Sequence, residues 1–294
     1  RRVLADGGIR KDMAQRSLRR ARDFSWDNAA AGVLNLYGQV AGARRAARNG
    51  NGHAAADTLH NDRLETLAAF GMKNLVPGGI GHLRFHPAGQ VPKVSVIIPT
   101  LDGDRNGNLT RLLEDLCAQD FDSFEVLLIK AVKPQGKAIN TGADRSAAPF
   151  LLILDDDSRV PNADTFSSLY AVMQNGDPIG MAGASVVISP ESNRFQQMAA
   201  RQFPRFNMPV VEKLTESDMA SHGCCVIPRS VFYEIGKEKE NIIRGLDPDL
   251  RERMRKAGYK TVLVPGAFVY HPLAPTLGKL MKQFHRNGVG SAHA

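Results

Sequence analysis

An α/β protein is what the sequence predicts: a mostly parallel central sheet flanked by helices, with a small helical segment ahead of it. Three observations carry the prediction. From Val91 onward, β-branched apolar runs alternate with helix-like stretches in the order strand, helix, strand, helix, strand, which argues for parallel strands joined by right-handed crossovers. Within that rhythm FLLILDDDS, Phe150 to Ser158, is an apolar run of the kind buried on both faces, and three consecutive carboxylates stop it abruptly. Ahead of it, the first 48 residues recur with helical periodicity.

In chain order, Ile9 to Arg22 and Trp26 to Arg48 read as two helices, broken at Asp23-Phe24-Ser25, with Ser25 suited to cap the second. Ala29, Val33, Leu36, Tyr37 and Val40 make one apolar stripe, so the pair must dock on something. Residues 49–90 hold the glycine clusters NGNG and PGGIG around an amphipathic stretch, Leu59 to Phe70, and read as a linker with one short helix. The main domain is expected over 91–294. Its strands are expected at Lys93 to Thr100, Phe124 to Val132, FLLIL, Met181 to Ile188 and Cys224 to Pro228. TVLVPGAFVYH, Thr261 to His271, reads as paired edge strands around Pro265-Gly266. Helices are expected at Leu109 to Ala118, Ala138 to Ala147, Arg194 to Gln202, Asp247 to Ala257 and Leu277 to Asn287.

Composition narrows the function classes. With 43% hydrophobic and 23% charged residues in 294, the chain is ordinary for a globular protein. Cys117, Cys224 and Cys225 build neither a disulfide framework nor a Cys/His metal site, so a reducing compartment, the cytoplasm, is expected. No apolar run approaches the length that spans a bilayer. The chain begins at Arg1 without a methionine, as a fragment or a processed piece would. The net charge of +8 is concentrated, since residues 1–50 hold 11 Lys and Arg against 4 Asp and Glu. Without interleaved aromatics, this reads as a solvated helix face and not as a nucleic-acid surface.

The carboxylates after the FLLIL run are the first candidate site, because ligands of open α/β sheets sit beyond the carboxyl ends of strands. Side chains two apart on a strand share a face, which lets Asp155 and Asp157 converge on one cation. Hard oxygen ligands suit Mg²⁺ or Mn²⁺ bridging to phosphates. The same residues also suit a solvated acidic turn ahead of a helix after Pro161.

Four blocks then appear in order: VSVIIPT, GKAINTG, the strand ending in LDDDS, and GLDPDLRERMRKAGYKTVLVPGAFVYH. Together, from Val94 to roughly Gly290, they resemble the family-2 inverting glycosyltransferases of GT-A fold. RRARDFSWDNAAAGVLNLYGQV more distantly resembles the final helices of GT-B glycosyltransferases, which implies the tail of a first enzyme over residues 1–48.

The family-2 resemblance implies that Asp155 and Asp157 hold Mn²⁺ or Mg²⁺ with His271 as third ligand. Asp156 would lie on the ribose, or on the metal after a one-residue shift. It implies a general base at Asp247 in LDPDLRER, with Asp249 as a second carboxylate, although Leu246 stands where the family usually has an acid. The residues alone also suit Asp247 to capping the helix, with Pro248 at its first position. Pro99 and Thr100 fall where the family contacts the nucleotide, and Lys137 in GKAIN is placed either to approach the diphosphate or to be an ordinary surface lysine. His222 and Gly223 fall where the family lines the sugar or acceptor pocket, and a structural histidine suits the position equally. Arg286 in QFHRNG matches a terminal basic block that closes over the diphosphate; the alternative is a basic helix resting on the inner face of a membrane. The acid that relatives place at the end of the second strand is missing, with Lys130 or Ala131 in its place, which leaves UDP against GDP open.

The expected function is therefore metal-dependent, inverting transfer of a hexose from a UDP- or GDP-linked donor. The acceptor would be a hydroxyl of a polysaccharide, glycolipid or lipid-linked glycan, as in cell-envelope glycan synthesis. A non-catalytic nucleotide-sugar-binding or scaffold domain of the same fold is the first rival. A nucleotidyltransferase is the second, disfavoured because its glycine-rich basic loop is here LDGDRNGNL, with a single arginine.

Overall fold

The structure, a computed structural model, describes residues 52–71, 75–203, 205 and 207–292. The chain divides into two compact units, Arg1–Thr58 and Leu59–Ala294. The second carries the sheet. The helices expected over 9–22 and 26–48, and the GT-B-like tail, lie outside the described residues.

Helix α1 (Gly52–Phe70) brings a charged residue into the interior. Arg63, 2% exposed, donates to the carbonyls of Cys117, Gln119 and Phe121 at 3.3, 2.6 and 2.6 Å. Its guanidinium lies 5.0 Å from the centre of the Phe124 ring. Burial of that charge is tolerated because carbonyl oxygens left over after helix α2 (Asn108–Cys117) accept its hydrogens.

Among the described residues eight strands form one sheet: β1 (Ile80–Phe85), β2 (Val94–Thr100), β3 (Phe124–Lys130), β4 (Phe150–Ile153), β5 (Ile179–Val187), β6 (Thr215–Glu216), β7 (Cys225–Pro228) and β8 (Lys260–Tyr270), in spatial order β1-β3-β2-β4-β7-β5-β8-β6. β2 pairs in parallel with β3 and β4, and β5 with β8, while β1, β7 and β6 run against their neighbours. Five of these strands, β2, β3, β4, β5 and β8, therefore share one direction, and β1, β6 and β7 enter against them. A short apolar run such as CVIP is buried on both faces in either direction, so its composition does not reveal that β7 enters antiparallel between β4 and β5. Helix α3 (Gln135–Arg145) presses closely on β2: a Cβ on Gly142 would come within 2.5 Å of Ile97 Cγ2. Further helices among the described residues are α4 (Thr165–Met173), α5 (Arg194–Gln202), α6 (Arg229–Glu234), α7 (Leu246–Lys256) and α8 (Leu277–Ala292).

Two expectations need correction. The stretch read as a linker contains β1, which pairs along its whole length with β3; the glycine cluster before it, with Gly78 at φ 77°, is the turn into that strand. The Thr261–His271 segment is one strand next to the sheet's end, not a pair. Both its halves run parallel to β5, with the register jumping from Gly183↔Leu263 to Ser185↔Phe268, so Pro265-Gly266 makes a bulge and never reverses the chain. β6 and α6 were not anticipated as elements, being short, while α4 is the helix expected after Pro161. Because β2, β4, β5 and β8 share one direction, Thr100, the three aspartates and His271 emerge at the same edge of the sheet.

Candidate active site

β4 ends at Ile153, so Asp155, Asp156 and Asp157 lie beyond the strand in a turn closed by Ser158 N–H donating to the Asp155 carbonyl at 3.1 Å. Strand alternation is therefore not what brings Asp155 and Asp157 together; the turn is. Asn108 Nδ2 donates to the carbonyls of Asp156 and Ser158 at 2.9 and 3.1 Å, and Ser158 Oγ donates to the Gly223 carbonyl at 2.9 Å, which fixes the turn from both sides. One side-chain atom each of Asp155, Asp157 and His271 lies within 4.8 Å of the others. His271 follows β8 and hydrogen-bonds through its N–H to the Val187 carbonyl; its Nε2 lies 3.1 Å from Asp157 Oδ1 and 3.7 Å from Asp155 Oδ2.

Electrostatics mark the three acids as unlike. Burial works against ionised Asp157, but the adjacent His271 and Arg105 overcome it and hold the carboxyl well below the usual range. Burial likewise opposes charge on His271, yet Asp157 and Asp155 hold its imidazole well above the ordinary value. Asp156 faces elsewhere: burial pushes it up to about 6, only partly offset by Thr100 and Arg105, and its neighbours Asp157 and Asp155 push the same way. Two carboxylates and an imidazole converging from separate elements are a donor set that suits Mn²⁺ or Mg²⁺.

Arg105 was missed in the sequence. The loop after β2 carries left-handed residues at Gly103, Arg105, Asn106 and Gly107, and Asp102 Oδ1 accepts the Asp104 and Arg105 N–H groups at 2.9 and 2.8 Å. This fold delivers Arg105 Nη2 to Asp157 Oδ2 at 2.6 Å and Nε to Asp156 Oδ1 at 3.3 Å. The single arginine in a glycine-rich loop was the available signal.

On the opposite wall, α7 starts after Gly245, whose φ of 95° an L side chain rarely adopts, so Gly245 and not Asp247 is the cap residue. Asp247 instead accepts the His222 backbone N–H on Oδ1 at 2.7 Å, with His222 Nδ1 3.3 Å from the same oxygen. Asp249 turns to Lys239 at 2.6 Å and to Arg253 at 2.8 Å and is not on the cleft wall. The His222 side chain is 3% exposed, and its Nε2 stands 3.0 Å from Glu238 Oε1. Burial disfavours the imidazolium, but Asp247 and Glu238 raise its pKa to about 10. His222 also accepts the Asp155 N–H at its carbonyl, at 3.0 Å, so one residue's backbone ties the two acidic groups together.

These groups line a cleft of about 1690 Å³, whose walls include Pro99, Thr100, Asp155, Asp247, His271 and Arg286; Gly223 and His222 lie on it as well. That volume exceeds the few hundred to about 1,000 Å³ of a typical small-ligand pocket and leaves room for two substrates. Lys137 is not on the wall and is exposed on α3. Its block serves the site differently. Gln135 Nε2 donates to Asp155 Oδ1 at 2.9 Å, and Asn140 holds the backbone of Glu238, donating to its carbonyl and accepting its N–H, both at 2.9 Å. Lys130 donates to the Leu75 carbonyl at 2.7 Å, away from the cleft, and Ala131 takes φ 59° as the strand ends.

A mixed sheet with acidic groups gathered at the carboxyl ends of its parallel strands is the GT-A architecture of nucleotide-sugar transferases. The model for Glycosyltransferase like family 2 matches residues 129–290, and the chain belongs to that family. A search of curated protein sequences found no match. Among solved structures the chain is similar to the mannosyltransferase PcManGT from Pyrobaculum calidifontis in complex with GDP-Man and Mn²⁺, at 14% identity and TM-score 0.48 over 79% of this chain and 72% of that one. It is also similar to GalNAc-T7 with UDP, GalNAc and Mn²⁺, at 12% identity and TM-score 0.48, covering 67% of this chain and 48% of that chain. For S. aureus TarS 1-349 the figures are 13% identity and TM-score 0.44, with 67% of this chain and 65% of that chain covered.

Proposed function

We propose that the chain is a metal-dependent, inverting hexosyltransferase that moves a sugar from a UDP- or GDP-linked donor to an acceptor hydroxyl of a glycan, glycolipid or lipid-linked glycan. The observation that carries this reading is the placement of Asp247 and the Asp155, Asp157 and His271 group on the walls of one cleft, joined through the backbone of His222. Asp155, Asp157 and His271 would hold Mn²⁺ or Mg²⁺, which would supply Lewis-acid charge for the leaving diphosphate. Pro99 and Thr100 border the nucleotide, Asp156 lies beside them toward the ribose, and Arg286 on α8 faces the diphosphate from the open side. Asp247 takes the proton of the attacking hydroxyl. Its Oδ1 is occupied by His222, while Oδ2 makes no hydrogen bond among the described residues and is open to the acceptor. One base and one in-line displacement give inversion.

Asp247→Asn tests the reading. Donor binding is expected to persist while release of nucleoside diphosphate falls by about a hundredfold or more; unchanged turnover overturns the assignment. A second reading, a nucleotide-sugar binder without turnover, draws on the missing acid at the end of β3, where Lys130 is tied to Leu75. It predicts nucleotide binding in wild type with no product formed. No helix among the described residues is long and apolar enough to cross a membrane. Exposed Leu277 and Met281, one turn apart on α8 beside Lys282, suit peripheral contact with the inner face of a membrane.

A further inference from the structure

We propose that the acceptor is anionic: it carries a phosphate beside the attacked hydroxyl, and Arg205 and Arg244 hold that phosphate next to Asp247. This rests on the glycosyltransferase reading above and names the class of its acceptor. The cations on the cleft wall divide into two kinds. Arg105 is spent on Asp157 and Asp156, and Arg159 forks onto Asp115 at 2.6 and 2.8 Å. Arg205 and Arg244 line the same cleft, are exposed, and form no ion pair with a carboxylate among the described residues.

The carboxylates that could answer these two arginines are committed elsewhere. Around α7, Asp249 is taken by Lys239 and Arg253, Glu252 by Arg255 and Lys256 at 3.0 and 3.5 Å, and Asp218 lies 3.6 Å from Arg255. That leaves Asp247, and it already faces Arg251 one turn along the same helix. Arg251 is 6% exposed and donates to the Ala220 carbonyl at 2.5 Å. Burial depresses the pKa of its guanidinium, Asp247 raises it, and the charge of Arg205 lowers it further. Arg205 therefore stands close enough to act on the residue behind the base. Arg244 immediately precedes Gly245, where the chain turns into α7 and so to Asp247. Three guanidinium groups thus share one cleft-facing carboxylate, and the fold leaves the excess positive charge open to the cleft.

In the reading above the donor diphosphate is met at the Asp155, Asp157 and His271 group and at Arg286, so the cations beside Asp247 fall to the acceptor. Guanidinium chemistry then selects among anions. Each arginine offers a planar fork of N–H donors; the two oxygens of a carboxylate fill one fork, whereas the oxygens of a phosphate serve two. Two arginines from separate segments, both flanking one base, fit a phosphate better than a uronic acid. Holding that phosphate also brings the neighbouring hydroxyl to the open Oδ2 of Asp247, which is the positioning the attack requires. Such a phosphate belongs either to a phosphorylated or phosphodiester-linked glycan or to the lipid carrier of a glycan, and the chemistry on the protein is the same for both.

The test titrates wild type, saturated with Mn²⁺ and UDP or GDP, with glucose 6-phosphate, glucuronate and glucose in a calorimeter. The expected order of affinity is phosphate, then carboxylate, then neutral sugar, with glucose 6-phosphate about tenfold or more tighter than glucose. Arg205→Gln and Arg244→Gln should each weaken glucose 6-phosphate about tenfold and leave nucleotide affinity with Mn²⁺ within about twofold. Both side chains are exposed, so neither change disturbs the core. Farnesyl phosphate separates the two sources. Tighter binding than glucose 6-phosphate, with the same dependence on both arginines, assigns the phosphate to a lipid carrier; weaker or equal binding assigns it to the glycan. No preference for glucose 6-phosphate over glucose, or a preference that survives in the double variant, overturns this proposal alone, because nucleotide binding in the same samples keeps the transferase reading standing. Failure of both UDP and GDP to bind removes that reading and this proposal with it.

Discussion

Acidification should weaken this fold through one carboxylate whose energetics can be worked from its contacts. Glu125 on β3 is 2% exposed, and its oxygens accept from Ser95 Oγ at 2.5 Å, the Ala147 N–H at 2.8 Å and His82 Nε2 at 2.6 Å. It therefore fastens β1, β2 and β3 to the turn that leads into β4 and its aspartates. Burial alone would raise its pKa, but the bonds from His82, Ala147 and Ser95 outweigh that and hold it at about 2, against an ordinary 4.5. A depression of about 2.5 units, at about 1.4 kcal/mol each, corresponds to roughly 3 kcal/mol of stability. Since the folded value lies below the unfolded one, the contribution is complete above about pH 4.5 and is lost as pH falls toward 2. Glu125→Gln keeps the shape and removes the titration. In urea unfolding from pH 7 down to 2, the stability gap between wild type and variant should narrow by roughly 3 kcal/mol, nearly all of it below pH 4.5. A gap that stays constant across that range would refute the reasoning, because it would mean the charge on Glu125 does not stabilise the fold.

Three further outcomes follow from the geometry. Arg105→Ala frees Asp157 Oδ2 and Asp156 Oδ1 from a half-exposed cation, and should tighten Mn²⁺ binding about three- to tenfold in calorimetry without nucleotide; unchanged or weaker binding contradicts competition at these oxygens. Arg63→Ala leaves three carbonyls without their donor and should cost roughly 3 kcal/mol in urea unfolding, with turnover per folded molecule unchanged; a loss under about 1 kcal/mol means solvent replaces those bonds at little cost. Asp249→Asn should leave kcat within about twofold, since Asp249 is spent on Lys239 and Arg253; a loss as large as that of Asp247→Asn would return Asp249 to the catalytic pair.

How legible each part was follows from what kind of signal it leaves in the chain. β2, β3, β4 and β5 are β-branched or leucine-rich runs buried almost throughout, so apolarity marks them within a residue or two of their ends. α5 spans the expected Arg194–Gln202, and Asn193 with Gln196 forms a capping box that fixes its start. β1 was not, since IGHLRF is half exposed and its identity as a strand comes from pairing with β3, far along the chain. The direction of β7 and the unity of β8 are likewise properties of partners and not of the segments themselves.

The same division runs through the site. That Asp155, Asp157, His271 and Asp247 would face one cleft was legible, because a carboxylate at a strand end is visible in one line of sequence. Their supports were not, because a supporting residue is defined by what it touches. The GKAIN block shows the difference. Read as a string, its prominent residue is Lys137, the one charge in it; folded, that lysine points to solvent, and the working residues are Gly136, valuable for lacking a side chain, and Asn140, which reaches Glu238 98 positions away. Glu238 itself was hidden by its neighbours, three other charged residues that do face outward or only partly inward. Charge along the chain therefore marked residues that line the cleft and missed the buried carboxylate behind them, and a substitution at the exposed Lys137 should leave release of nucleoside diphosphate unchanged.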